Sequence, residues 1–188
     1  MTIEIRPLHS DPAVVARLAE ILIATVAAGG SVTFMHPMPH DAAIAYWRDA
    51  LDDTGNRIVL GGFIDGVLVG TVTLWLGTPQ NQPFRAEIWK LMTHPTARRR
   101  GVACALMQAV EPLAAAHHRT LLTLDTAQDG GAAQLYESLG WVRVGEIPDF
   151  AYKPHGGLTA TVLFYKRVAA AANEAPGIAP AIATGADT

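Results

Sequence analysis

Apolar and polar positions alternate at the start of the chain. Ile3 and Ile5 stand between polar residues, so Thr2 to Pro7 reads as a strand. The period then lengthens. Val14, Val15, Leu18, Ile21, Leu22 and Val26 recur at helical spacing. They follow Ser10-Asp11-Pro12, a cap residue with Pro at an early helical position. Gly29-Gly30 ends this helix. Ser31 to Pro39 reads as a loop, and a second helix runs from about Asp41 to Leu51 with Ile44, Tyr46 and Trp47. Arg57 to Ile64 and Val67 to Leu76 read as strands joined by the hairpin signal Asp65-Gly66. A central strand, Phe84 to Thr93, is stopped by Pro95. After a short basic loop, Thr96 to Arg100, the positions Val102, Ala105, Leu106, Ala109, Val110 and Leu113 predict a helix from Gly101 to His117-His118.

Leu121 to Thr126 is a largely apolar run, which predicts a strand buried on both faces. Asp129-Gly130-Gly131 leads into a short helix, Ala132 to Leu139, closed by Gly140. Trp141 to Ile147 is a strand, Pro148 to Gly157 a loop, and Leu158 to Arg167 the last strand. From Ala169 onward Ala, Pro and Gly dominate, with little to bury. Residues 1–168 therefore read as one domain and 169–188 as a flexible tail. The order is β-α-α-β-β-β-α-β-α-β-β. It predicts an α/β protein with a mixed sheet, antiparallel at first and parallel across the Gly101 helix, in a right-handed crossover. Ligands of open α/β sheets sit at strand ends where neighbours diverge. Here that point lies between the strand ending at Thr93 and the strand ending at Thr126.

Composition narrows the function classes. The 188 residues suffice for one sizeable core, and 50% hydrophobic with 16% charged residues is a globular balance. A formal charge of −3 argues against a nucleic-acid partner. The single cysteine excludes an intramolecular disulfide and a multi-Cys metal site. With no basic-apolar leader and no long apolar run, the expectation is a cytoplasmic protein without a membrane partner, as monomer or homodimer.

The candidate chemistry begins in the basic loop. A strand that feeds a helix through a Gly-containing turn makes an anion site, because the first helical N–H groups lack intrahelical partners and the helix dipole favours negative charge there. Gly101 and Ala103 lack bulk, so a phosphate can approach the backbone. Neither G-x-x-x-x-G-K-[ST] nor G-x-G-x-x-G after a strand is present. What stands here is Arg98-x-x-Gly101-x-Ala103, after Leu-Met-Thr-His-Pro and at the start of an amphipathic helix.

This arrangement resembles the pyrophosphate signature of the GNAT acetyltransferase superfamily, Gln/Arg-x-x-Gly-x-Gly/Ala. It departs from many members in having Arg99 where they carry Gly. The resemblance implies the GNAT fold, a mixed sheet with helices on both faces and splayed central parallel strands. It also implies acetyl-CoA as co-substrate, no metal, and a pyrophosphate held by the N–H groups of Arg98, Arg99, Arg100, Gly101, Val102 and Ala103. Within the superfamily the chain looks most similar to the tabtoxin-resistance acetyltransferases. Gly29 to Met35, Arg85 to Met92, Leu124 to Thr126 and Arg143 to Pro148 carry that likeness. It implies that Glu87, Asp125 and Tyr136 stand where that family's proposed catalytic residues stand, and that the acceptor is the amino group of a small amino-acid-like compound such as a tabtoxin-type β-lactam.

The chemistry suits these residue types. An alkylammonium has no lone pair, so a carboxylate must take its proton, directly or through water. Period two puts Glu87 on one side of the central strand with Trp89 and Leu91. Asp125 ends the next strand. Either could be the base. A free backbone N–H near Leu91, Met92 and Thr93 would stabilise the oxyanion of the attacked thioester. Tyr136 would protonate the leaving thiolate. Each has a plainer reading: an ion pair with Arg85 for Glu87, a cap or turn hydrogen bond for Asp125, core packing for Tyr136. Phe34 and Trp89 could wall the acceptor pocket, with Tyr46 and Trp47 beside them. Two other functions compete: acetylation of a protein N-terminus or lysine, and CoA binding without turnover.

Overall fold

The computed structural model describes residues 2–169, so beyond Ala169 the expected tail lies outside the described residues. Local signals account for most element ends. The Asp11 side chain accepts from the backbone N–H groups of Ala13 and Val14 at 2.9 and 3.2 Å, and α1 (Pro12–Ala27) begins there with Pro12 first. After the loop comes α2 (His40–Asp52). Two further helices, α3 (Val102–Ala116) and α4 (Ala133–Ser138), follow later in the chain. The strands are β1 (Ile3–Pro7), β2 (Arg57–Ile64), β3 (Val67–Trp75), β4 (Arg85–Thr93), β5 (Leu121–Ala127), β6 (Val142–Tyr152) and β7 (Leu158–Arg167). They form one sheet in the order β1-β2-β3-β4-β5-β7-β6, and only β4 and β5 run parallel.

Apolar side chains cover both faces of this sheet. On one, Leu18, Ile21, Leu22 and Trp47 of α1 and α2 pack on Val59, Phe63, Leu68 and Met92. On the other, Leu106, Met107 and Val110 of α3 pack on Val72, Leu74, Ile88, Leu122 and Phe164, with Tyr136 of α4 beside them. Each buried large side chain contributes about 1.5–3 kcal/mol.

Three expectations need correction. The Leu121–Ala127 strand is not buried on both faces: Leu122 and Leu124 are buried, but Thr123 is half-buried and Asp125 is exposed. The reason is that α1 and α2 pack on β2, β3 and β4, and no β5 residue joins their core. Second, β6 does not end at Ile147. It resumes after an irregularity between Ile147 and Ala151 and runs to Tyr152, across the stretch expected as loop. Pro148 is tolerated because β6 is an edge strand and the irregular segment makes no regular ladder. Third, Leu91 does not share a face with Glu87 and Trp89. The β3–β4 register shifts between Thr71 and Thr73, leaving Lys90 and Leu91 of β4 opposite Val72, and Lys90 takes a left-handed φ of 52°. This bulge reverses the alternation. Leu91 turns to the α3 face and Met92 to the α1–α2 face.

Two glycines seat α3. Gly62 and Gly70 pair across β2 and β3, and a Cβ on either would stand 2.8 Å from Val102 Cγ1, the first residue of α3. At Gly70 it would also stand 2.9 Å from the Met92 carbonyl oxygen, which cannot yield as a side chain can. Gly70→Ala should therefore destabilise the fold by about 1–3 kcal/mol, and by more than Gly62→Ala. Urea unfolding of both variants measures this; equal stability to the parent would mean that α3 is not held at this distance.

Candidate active site

The sheet opens between its two parallel strands. β4 and β5 pair only through Arg85↔Leu121, Ala86↔Leu122 and Glu87↔Thr123. Beyond Glu87 each strand keeps its outer neighbour: β4 stays on β3 to Thr93, and β5 stays on β7 from Leu121 to Ala127. The inner edges separate, and a cavity of about 270 Å³ lies where they do. It is lined by Arg85, Glu87, Ile88, Trp89, Thr123, Leu124, Asp125 and Leu163.

Of the expected site residues, Glu87, Asp125 and Trp89 meet at this cavity. Glu87 is tightly held. One carboxylate oxygen accepts from Arg85 Nη1, the other from Trp89 Nε1 at 2.9 Å. Arg85 is fixed in turn by Gln82 Oε1 at 2.7 Å and Thr123 Oγ1 at 3.0 Å. The plainer reading of Glu87 is thus present in the geometry. The Trp89 ring stacks on Trp75 with centroids 4.6 Å apart and planes 8° apart, a contact worth about 0.5–1.5 kcal/mol beyond burial. Asp125 is less committed: Oδ2 accepts from Thr161 Oγ1 at 2.8 Å, and the residue is exposed.

Tyr136 belongs to the opposite face. Its ring is 5% exposed and packs on Phe164 and Trp141, with centroids 5.6 and 6.1 Å away. Burial, with the nearby Asp125 carboxylate adding to it, pushes the phenol pKa well above its ordinary range. The hydroxyl is therefore protonated at any working pH. The core-packing reading holds for the ring, and a proton is still available at its tip.

Lys90 was not anticipated from the sequence. The bulge directs it to the Glu87 side, where Nζ donates to Thr33 Oγ1 at 2.8 Å and lies 5.4 and 5.5 Å from the ring centroids of Phe34 and Tyr46. Phe34 and Tyr46 meet edge to face at 5.2 Å. Phe34, expected at the acceptor wall, thus stands beside Lys90, while Trp47 is fully buried in the core. Burial lowers the Lys90 pKa to about 8, opposed by the Asp125 carboxylate and assisted by Arg57.

The anion turn has the required form. After a 3₁₀ turn at Pro95–Ala97, Arg99 and Gly101 both take left-handed φ values, 61° and 85°, and Gly101 opens α3 as its N-cap. A side chain at Gly101 would find space, with Ile3 Cδ1 3.6 Å away, so glycine is required by its conformation. Arg98, Arg99 and Arg100 are exposed around the turn, Ala103 follows in the first helical turn, and Val102 is buried as its anchor. Gly without a Cβ, free first-turn N–H groups and three cations fit a pyrophosphate. On the gap side, β4 from Ile88 to Thr93 has no strand opposite it, so backbone groups near Leu91, Met92 and Thr93 lack a strand partner there.

A sheet parted at one parallel pair, with an anion turn on the following helix, is the architecture of an acyl-CoA transferase. The family model of the GNAT acetyltransferases matches residues 23–141, and the chain belongs to that family. It is an acetyl-CoA-dependent acetyltransferase. Solved structures share the fold at low identity. The yncA protein of Salmonella typhimurium, described as an acetyltransferase with its cofactor acetyl-CoA, is 19% identical, with TM-score 0.73 over 92% of this chain and 98% of that one. A structure described as a phosphinothricin N-acetyltransferase is 14% identical, with TM-score 0.75 over 89% and 99%. The ribosomal-protein-alanine N-acetyltransferase of Brucella melitensis is 16% identical, with TM-score 0.70 over 89% and 100%. No described helix is long and apolar enough to cross a membrane.

Two measurements test this site. Gly101→Glu should raise the acetyl-CoA Kd well above the rise caused by Gly101→Gln, because both strain the turn but only Glu brings a negative charge; equal affinities by calorimetry would move the pyrophosphate elsewhere. The Lys90 shift has its own signature. The unfolded chain holds this proton up to about 10.5 and the folded chain only to about 8. Between those values the unfolded state binds more protons, so stability rises with pH. The rise belongs to pH 8–10, since Tyr46, with its pKa raised to about 12, acts in the opposite sense above pH 10. Denaturation midpoints should show it in the parent and less of it in Lys90→Met.

Proposed function

We propose that the acceptor is the primary amine of a small, amino-acid-like molecule of the kind to which tabtoxin-type β-lactams belong. The observation that carries this is the cavity itself: about 270 Å³, with the carboxylates of Glu87 and Asp125 set against the single cation Arg85. Such a site attracts an ammonium, and its volume lies at the small end of ligand pockets. Acceptors of the resembling structures point both ways, to a small molecule and to a protein, at identities that speak only for the fold. What disfavours a peptide acceptor here is the loop after α1. The His36 N–H donates to the Pro154 carbonyl at 2.9 Å, and the His155 ring, 4.5 Å from that of His36, meets the Ala27 carbonyl at 3.1 Å. This bridge to the β6–β7 turn crosses the face along which a peptide would lie.

In this reading the roles divide across the sheet. Acetyl-CoA, held by its pyrophosphate at the Arg98–Ala103 turn, supplies the acetyl group as a thioester. Asp125 binds the acceptor ammonium on the α2 face and takes its proton, directly or through water. Glu87, with both oxygens engaged, fixes Trp89 and the negative field of the pocket. Backbone N–H groups of Leu91 to Thr93 stabilise the developing oxyanion. Tyr136, on the α3 face and always protonated, gives its proton to the departing sulfur. Phe34 and Trp89 wall the acceptor. A CoA-binding module without turnover would have no use for a proton donor and a proton acceptor on opposite faces of one gap.

Thiol release from acetyl-CoA, screened over amino acids, polyamines and β-lactam amino acids, tests the reading; release with peptides alone would replace it by protein acetylation. On an acceptor so found, Asp125→Asn should lower kcat by about 10²–10⁴ and remove the acid limb of the rate profile. Glu87→Gln should cost less; the reverse order would make Glu87 the base. Tyr136→Phe should lower kcat by about ten- to a thousandfold, with the acid limb and the acetyl-CoA Kd retained. A variant as fast as the parent would leave Tyr136 a core residue.

A further inference from the structure

The acceptor side carries a cation that the transfer chemistry above does not use. Lys90 stands three residues beyond Glu87 on β4, at the bulge that turns it to the acceptor face. Among the described residues no carboxylate lies within ion-pair distance of it. Its one hydrogen-bond partner is the Thr33 hydroxyl, and two aromatic rings flank it. An ammonium half-removed from water with no anion in contact is costly to keep. The Asp125 carboxylate is near enough to act on it electrostatically, yet the two do not touch. A cation and an anion therefore stand on the same face of the sheet, on the two strands that border the gap between β4 and β5, with no ion pair joining them. A group with a negative and a positive end fits such a gap, because it completes a charge-assisted contact at each side. The bulge supports the same point. A non-glycine residue in left-handed conformation at a strand interruption is strained, and the strain persists where the aim of a side chain matters.

Resting on the acetyltransferase reading above, we propose that Lys90 and Asp125 bound a slot for a zwitterionic acceptor, Lys90 holding its carboxylate and Asp125 the neighbouring ammonium that is acetylated. Lys90 is then the residue that selects α-amino acids and close analogues over simple amines. Thr33, Phe34 and Tyr46 hold its chain in place, so that a bound carboxylate finds the ammonium already aimed.

Matched pairs test this: L-methionine with 3-(methylthio)propylamine, and L-phenylalanine with phenethylamine. Binding to the CoA-loaded protein is read by calorimetry, and thiol release from acetyl-CoA by rate. The parent should prefer the amino acid of a pair, in Kd and in KM. Lys90→Met, which keeps the length and removes the charge, should shrink that preference at least tenfold, and Lys90→Arg should retain most of it. An unchanged preference in Lys90→Met, equal binding of both members in the parent, or binding of neither, overturns the slot. The two readings fail separately. Amino acids that bind through Lys90 without any thiol release overturn the proposed amino-acid acceptor and leave the slot standing. Fast transfer to the amines, indifferent to Lys90, does the opposite.

Discussion

Everything functional in this molecule depends on two parallel strands that pair for three residues and then stop. The parting is built in from outside. β5 is held along its whole length by β7, so it cannot follow β4. β4 is held by β3 on both sides of a bulge, so it cannot follow β5. Both strands satisfy their outer hydrogen bonds and leave their inner edges bare. A bare edge is tolerable only where water or a ligand completes it, since an unmet buried backbone group costs about 1–3 kcal/mol. The gap is thus a place where something polar must sit, and a sheet with a gap has two usable faces. An amine can approach from the α2 side and a thioester from the α3 side without crossing either core.

The second constraint sets how far α3 stands from the sheet. Its anion turn must hold N–H groups at a fixed distance from the gap. Gly62 and Gly70 do this by letting Val102 sit directly on β2 and β3. The helix start is therefore positioned by packing rather than by a side-chain cap, and Gly101 has none to offer. A cap side chain there would occupy N–H groups that are otherwise open to an anion. Gly101 is thus a poor helix start by itself and a good one for binding an anion, a local loss of stability set against function.

Much of this was legible in the sequence. Periodicity located every described helix and strand to within a residue or two, except the far end of β6, because each has one apolar face or a continuous apolar run. The turn Arg98 to Ala103 was legible because its chemistry is backbone chemistry, and Gly101 advertises it. Glu87, Asp125 and Trp89 were brought together as expected from the strand order. Lys90 was not legible for one reason. Strict alternation sends it to the face away from Glu87, and nothing in Trp-Lys-Leu-Met marks a bulge. The same slip of one residue misplaced Leu91. β6 was cut short for a related reason: Pro148 signals an end, but an edge strand can carry it in an irregular stretch and resume. Alternation reports a regular strand, and this site is made where the strand is irregular.

The charges around the gap differ in how firmly they are fixed, and that difference separates scaffold from chemistry. Glu87 is satisfied twice over, by a guanidinium and an indole, and the indole is locked in a stack with Trp75. A carboxylate with both oxygens so engaged is committed to structure. Arg85, held by three partners, is equally committed. Asp125 keeps a single hydroxyl partner and Lys90 another. Each is anchored enough to be aimed and free enough to accept a new bond. These two also come from different strands, one on each side of the gap, so whatever bridges them must enter the gap to do so. The parting of β4 and β5 therefore does more than admit ligands. It sets a carboxylate and an ammonium on separate strands, each with one hydroxyl partner and no ion pair between them.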